Sequence, residues 1–138
     1  MLRVLIIDDN PADVNMICEI LASVEGCVFK PQVIEDGDNA FKFLAKQDPF
    51  KDADMPHLII LDLNLPGKSG HDILKAMNEL NIRIPVIVYT TSDRPEDIKK
   101  AYRLHASCYV CKPSDFTQLN RVLRLIGEFW LGVVKLPD

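Results

Sequence analysis

Residues 4 to 14 read VLIIDDNPADV. Four apolar residues, Val4 to Ile7, run straight into two adjacent carboxylates, Asp8 and Asp9. A short apolar run closed by turn formers reads as a strand buried on both faces, the kind found in parallel sheets covered by helices. The residues that follow suit a helix start, because Asn and Asp at an N-cap accept the partnerless backbone N–H groups of the first turn. As a capping turn the acidic pair needs no further cause, yet like charges at the end of a buried strand repel and call for compensation.

Outward from this stretch, apolar runs and helical periodicities alternate along the whole chain. LRVLIID is the first strand, and residues 11 to 25 carry Val14, Ile17, Leu21 and Val24 at helical spacing. PQVIED is a second strand, followed by a helix over Asp38 to Lys46 and a polar, two-proline loop, KQDPFKDADMP. Then come the strand HLIILDL, the turn NLPGKSG and a helix from His71 to Leu80. IPVIVYT is a fourth strand, RPEDIKKAYRL a helix with Pro95 in its first turn, and ASCYVCK a fifth strand. The last helix spans Ser114 to about Glu128, with Phe116, Leu119, Val122, Leu123 and Ile126 on one face. Five strand-helix units make an α/β, doubly wound parallel sheet, since parallel strands need right-handed helical crossovers. The flavodoxin-like (βα)5 order 2-1-3-4-5 places a switch point between strands 1 and 3, where ligands bind at the carboxyl ends.

Composition narrows the partners. The 138 residues suffice for one domain, and 48% apolar with 26% charged residues is ordinary for a globular protein. A net charge of -4 with no basic run argues against nucleic acid. No apolar stretch approaches the roughly 18 residues of a membrane span, and Met1 leads into the first strand without a signal-peptide pattern, so a cytoplasmic location is expected. Cys108 and Cys111 form a CxxC, but residues three apart on a strand point to opposite faces and cannot converge on a metal. His57, His71 and His105 are scattered and read as surface or strand-edge residues.

The chemistry gathers at the strand ends. In the 2-1-3-4-5 order the ends of strands 1 and 3 are neighbours, so Asp8, Asp9 and Asp62 meet at one crevice. Three anions so placed raise one another's pKa or recruit a cation, and an all-oxygen donor set with room for water suits Mg²⁺, with Mn²⁺ an alternative. Strand 4 ends in Thr90 and strand 5 in Lys112. A metal site beside an ammonium and a hydroxyl is what a phosphoryl group on a carboxylate needs. Asp62 is the better nucleophile because it stands alone on the central strand, facing the pair.

From residue 3 to about 127 the chain resembles the response-regulator receiver domains of two-component signalling, carrying IIDDN, LDLNLPGKSG, VYTTSD and YVCKP in order. The resemblance implies a CheY-like fold with Asp62 as phosphoacceptor, Asp9 binding Mg²⁺ directly, Asp8 acting mostly through water, and the Asn64 backbone carbonyl completing the metal site. It makes Thr90 the switch hydroxyl, Lys112 the phosphate-sensing cation and Tyr109 an aromatic rotor, and it suggests a cis bond between Lys112 and Pro113. The chain departs from the family pattern at His105, where glycine is common, at Cys108, and at Thr91, which is bulkier than usual.

A receiver over residues 1–128 leaves 129–138, FWLGVVKLPD, as a C-terminal extension too short for a DNA-binding module. The expected function is that of a regulatory phosphoacceptor rather than an enzyme, limited to self-phosphorylation and slow self-dephosphorylation. It would take its phosphoryl group from a sensor histidine kinase and signal to a further, unidentified protein, with neither DNA nor membrane as partner. The segment FWLGVVKLP resembles the extension of small regulators paired with bacterial and cyanobacterial phytochromes, which points to a phytochrome as the kinase. Phe129, Trp130, Leu131, Val134 and Leu136 exceed what one small core needs and are expected to hold a homodimer, the other reading being a tail folded over its own sheet edge. Two other functions fit less well. A haloacid dehalogenase type phosphohydrolase needs D-x-D after its first strand, and a scaffolding pseudo-receiver would ordinarily lack Asp62 or Lys112.

Overall fold

The computed structural model describes residues 1–138. Its elements are β1 (Leu2–Ile7), α1 (Pro11–Ala22), β2 (Phe29–Ile34), α2 (Gly37–Leu44), β3 (Leu58–Leu61), α3 (Gly70–Glu79), β4 (Val86–Thr90), α4 (Pro95–Arg103), β5 (Cys108–Cys111) and α5 (Phe116–Gly132). The strands form one parallel sheet in the order β2-β1-β3-β4-β5. This is the (βα)5 arrangement that the alternation of the sequence predicts.

Alternation along each strand divides the core into two layers. Leu5, Ile7, Ile59, Leu61, Val86 and Val88 face α2 and α3, while Val4, Ile6, Leu58, Ile60, Ile87 and Tyr89 face α1 and α5. Local chemistry starts the helices. Asn10 caps α1 by accepting from the Asp13 N–H, Asp36 caps α2 and Asp115 caps α5. At α3, Ser69 and Asp72 form a reciprocal capping box. Helix α4 has no side-chain cap and opens instead on Pro95, whose fixed φ suits the first helical position.

Several boundaries differ from the expectation. Strand β2 begins at Phe29 rather than Pro31, because an edge strand tolerates a proline whose missing N–H would face outward. Phe116, placed on the buried face of the last helix by its spacing, is 72% exposed at the helix's first turn. His57 is buried at the foot of β3, where its Nδ1 accepts from the Arg3 N–H at 2.9 Å. The only cis bond is Asp48–Pro49, so Lys112–Pro113 is trans, against expectation. The Lys112 N–H continues the ladder to the Thr90 carbonyl at 2.7 Å, and the bond that follows takes the isomer an X–Pro peptide intrinsically prefers.

Helix α5 runs past Glu128, its apolar face continuing to Gly132, after which the Val133 and Val134 N–H groups bond back to the Phe129 carbonyl. Beyond it the chain turns under the sheet. Trp130, Leu131 and Leu136 pack against the layer shared by α1 and α5, and Asp138 lies 3.9 Å from His57 Nε2. Three of the five residues assigned to a dimer contact therefore cover this chain's own core, whereas Phe129 is 53% exposed and Val134 half-buried. No helix is long and apolar enough to cross a membrane.

Candidate phosphoacceptor site

The ladder itself places the carboxylates. Ile7 pairs with both Ile34 and Leu61, and one step further the Asp8 N–H donates to Ile34 and the Asp62 N–H to Ile7. Asp8 and Asp62 thus stand side by side at the carboxyl edge, both nearly buried, with Asp9 exposed beside them. Carboxylate oxygens of Asp8, Asp9 and Asp62 lie within 4.8 Å of one another. Gly70 lets the turn after β3 close over this edge, since a Cβ there would come within 2.5 Å of the Asp62 carbonyl oxygen.

Each oxygen of Asp62 is held. Thr90 Oγ1 donates to Oδ1 at 2.8 Å, the Asn64 N–H donates to the same oxygen at 3.1 Å, and Lys112 Nζ donates to Oδ2 at 3.0 Å. Lys112 spends its other two protons on Asp8 and Asp13, both at 2.9 Å. Burial alone would lower the Lys112 pKa, but the bonds to Asp13 and Asp8 and the charge of Asp62 outweigh it and raise the ammonium above its ordinary value. Asp8 is raised too, first by burial and further by Asp62, with the Asn10 N–H and Lys112 opposing. An acid raised in this way costs stability while ionised and returns it as pH falls.

Asp13 was not singled out by sequence reasoning. An acidic residue in the first turn of a helix is fully accounted for by the helix dipole, and only the packing of α1 beside the end of β5 brings it to Lys112. Tyr109, the expected rotor, is half-buried on β5, and its hydroxyl donates to the Ser92 carbonyl at 2.9 Å in the loop before α4. Cys108 and Cys111 are free thiols that diverge as expected, the first half-buried on the core and the second exposed.

The donor set fits a hard divalent cation. Asp8, Asp9 and Asp62 offer clustered ligand atoms that are all oxygen, and Lys112, shared among Asp8, Asp13 and Asp62, is the one cation that compensates them.

The family model of the response regulator receiver domain matches residues 4–124. The chain belongs to this family. As a receiver it is 35% identical over 136 residues to the response regulator Rcp1 of the cyanobacterium Synechocystis, an overlap of 97% of this chain and 92% of that protein. The receiver superposes on the crystal structure of the Mn²⁺-bound form of Rcp1 with a TM-score of 0.95, at 34% identity and complete coverage of both chains. The phosphorylated cyanobacterial phytochrome response regulator RcpA gives 0.92 at 35% identity, covering 99% of each. A receiver with an acidic pocket of this kind falls in a family whose members bind Mg²⁺ or Mn²⁺ there, and the cluster of Asp8, Asp9 and Asp62 is the matching feature in this chain.

Proposed function

We propose that this receiver takes a phosphoryl group from a phosphohistidine of a phytochrome-type sensor histidine kinase onto Asp62 and signals by protein contacts. The carrying observation is the environment of Asp62, a nearly buried carboxylate with a hydroxyl on one oxygen and an ammonium on the other, in an edge that keeps excess negative charge. An Asp62 oxygen attacks phosphorus, the P–N bond to the imidazole breaks, and its electron pair returns to the ring. Asp8, Asp9 and Asp62, with the Asn64 backbone carbonyl that the family pattern adds, would hold Mg²⁺ or Mn²⁺, which when bound would supply neutralising charge for the transferred oxygens.

The same residues that guide transfer read its result. Lys112 pairs with the new phosphoryl oxygens, Thr90 gives up Asp62 for them, and the loop bearing Ser92 follows, releasing Tyr109 from its present bond. These differential contacts bias the surface of α4, β5 and α5 between two states. The phytochrome assignment draws on the likeness to Rcp1 and to RcpA across nearly the whole chain. Phosphotransfer from each purified, autophosphorylated histidine kinase of the source organism, with Mg²⁺ present, tests it. Fast labelling from a phytochrome kinase is expected, and labelling only by kinases of other kinds refutes the pairing.

The homodimer is proposed on a smaller set of residues than the sequence suggested. Exposed Phe129 and Val133, with half-buried Val134, form the apolar strip left at the end of α5 once Trp130, Leu131 and Leu136 have turned inward. Sedimentation across a concentration series is expected to show a dimer that Phe129→Asp weakens. A monomer at high micromolar concentration, with and without a phosphoryl mimic, overturns it.

A further inference from the structure

Tyr89 lies in β4 immediately before Thr90, its side chain in the layer beneath α1 and α5. The residue is fully buried, and its hydroxyl is the one buried side-chain polar atom in the protein without a hydrogen-bond partner. A buried hydroxyl left unpaired is destabilising, so phenylalanine would serve better if the fold needed only the ring. The ring does have a partner, since Lys112 Nζ sits 5.4 Å from its centroid, within cation-π range. Among the surrounding charges Asp13 acts most strongly on the hydroxyl, second only to burial in pushing the phenol up to about 12.

The hydroxyl lacks a partner in a state where every proton of Lys112 is committed, to Asp8, Asp13 and Asp62. A phosphoryl group on Asp62 adds acceptor oxygens without adding donors, so the ammonium must release a carboxylate. Asp8 is fixed by the Asn10 N–H and belongs to the cation cluster, whereas Asp13 is outside that cluster and the most exposed of the three partners. Asp13 is therefore the one released, and Tyr89, whose ring lies 5.4 Å from the same ammonium, carries the unpaired donor. We infer that Tyr89 is a positioning residue for Lys112: its ring carries the ammonium, and its hydroxyl donates to Asp13 when Lys112 leaves that carboxylate for the phosphoryl group. The inference rests on the phosphoacceptor role of Asp62 and adds to it the means by which Lys112 is let go.

A double-substitution cycle in two states tests this. Wild type, Tyr89→Phe, Asp13→Ala and the double variant are compared by thermal unfolding in the metal-free state and by titration with beryllofluoride plus Mg²⁺, a mimic of the phosphoryl group. Metal-free, Tyr89→Phe is expected to melt at or above wild type and the two substitutions to add. In the titration Tyr89→Phe is expected to weaken beryllofluoride binding about tenfold, the worth of one hydrogen bond to a charged group, and to have no further effect once Asp13 is alanine. A merely structural tyrosine would move both states alike. Additivity in the beryllofluoride state, or a lower melting temperature for metal-free Tyr89→Phe, overturns the inference. If wild type itself binds no beryllofluoride, the phosphoacceptor reading falls first and this one with it.

Discussion

Asp62→Asn protein incubated with acetyl phosphate and Mg²⁺ is expected to gain no phosphate by intact-mass measurement, while wild type gains one acid-labile group. The amide is neutral and its oxygen a poor nucleophile, so the O–P bond cannot form. The fold is expected to survive, because the side chains have nearly equal volume and the carboxamide oxygen can still accept from Thr90 and Asn64. Stability in the metal-free state should if anything rise, since Asp62 is one of the groups that raise Asp8. A phosphate found on the substituted protein would place the acceptor elsewhere.

Lys112→Ala is expected to give the largest loss of stability of any substitution at this site, and metal is expected to restore part of it. The Lys112 side chain is only 4% exposed, and its ammonium is the sole cation among Asp8, Asp13 and Asp62. Removing one partner of such a buried ionic cluster costs roughly 3–5 kcal/mol, reduced here to the extent that Asp13 stays hydrated. Because the Lys112 pKa is raised, its contribution is fully present below the ordinary lysine value and is lost only as pH rises through the raised one. The gap between wild type and variant is therefore expected to persist across the neutral range. Mg²⁺ should raise the melting temperature of the variant more than that of wild type, since a cation binding only the folded state stabilises it by mass action and no longer competes with the ammonium. Equal Mg²⁺-induced shifts in the two proteins would show that Lys112 and the metal do not share the charge of this cluster.

Much of the site could be read from the sequence because it is built from strand ends. Once the apolar runs fix five parallel strands, the residue that closes each run is fixed in space with it, and Asp8, Asp62, Thr90 and Lys112 fall together without knowledge of any side-chain contact. Asp13 and Tyr89 escaped because they do ordinary work locally, one in the first turn of α1 and the other as a core aromatic on a strand. Their second role exists only where the Lys112 side chain reaches from the end of β5 to Asp13 and Tyr89, which periodicity does not report. The tail was half legible. Its apolar excess showed in composition, but whether such residues meet a second chain or their own core depends on the path the chain takes after Gly132, which apolar spacing does not report. His105 likewise reads as a departure from glycine, and the structure shows why glycine suits the place, since the residue adopts φ 71°.

The placement of Trp130 makes the molecule optically convenient. It is the only tryptophan, and it packs against the same core layer as Cys108, the first residue of β5. Indole emission responds to its surroundings, so the intrinsic fluorescence of this protein reports on how α5 packs against that layer. Lys112 follows directly on the other end of that short strand. Any sliding of β5 that accompanies occupation of the site will brighten or dim a native, label-free lamp on the far side of the sheet edge, and stopped-flow emission can time the switch without a dye.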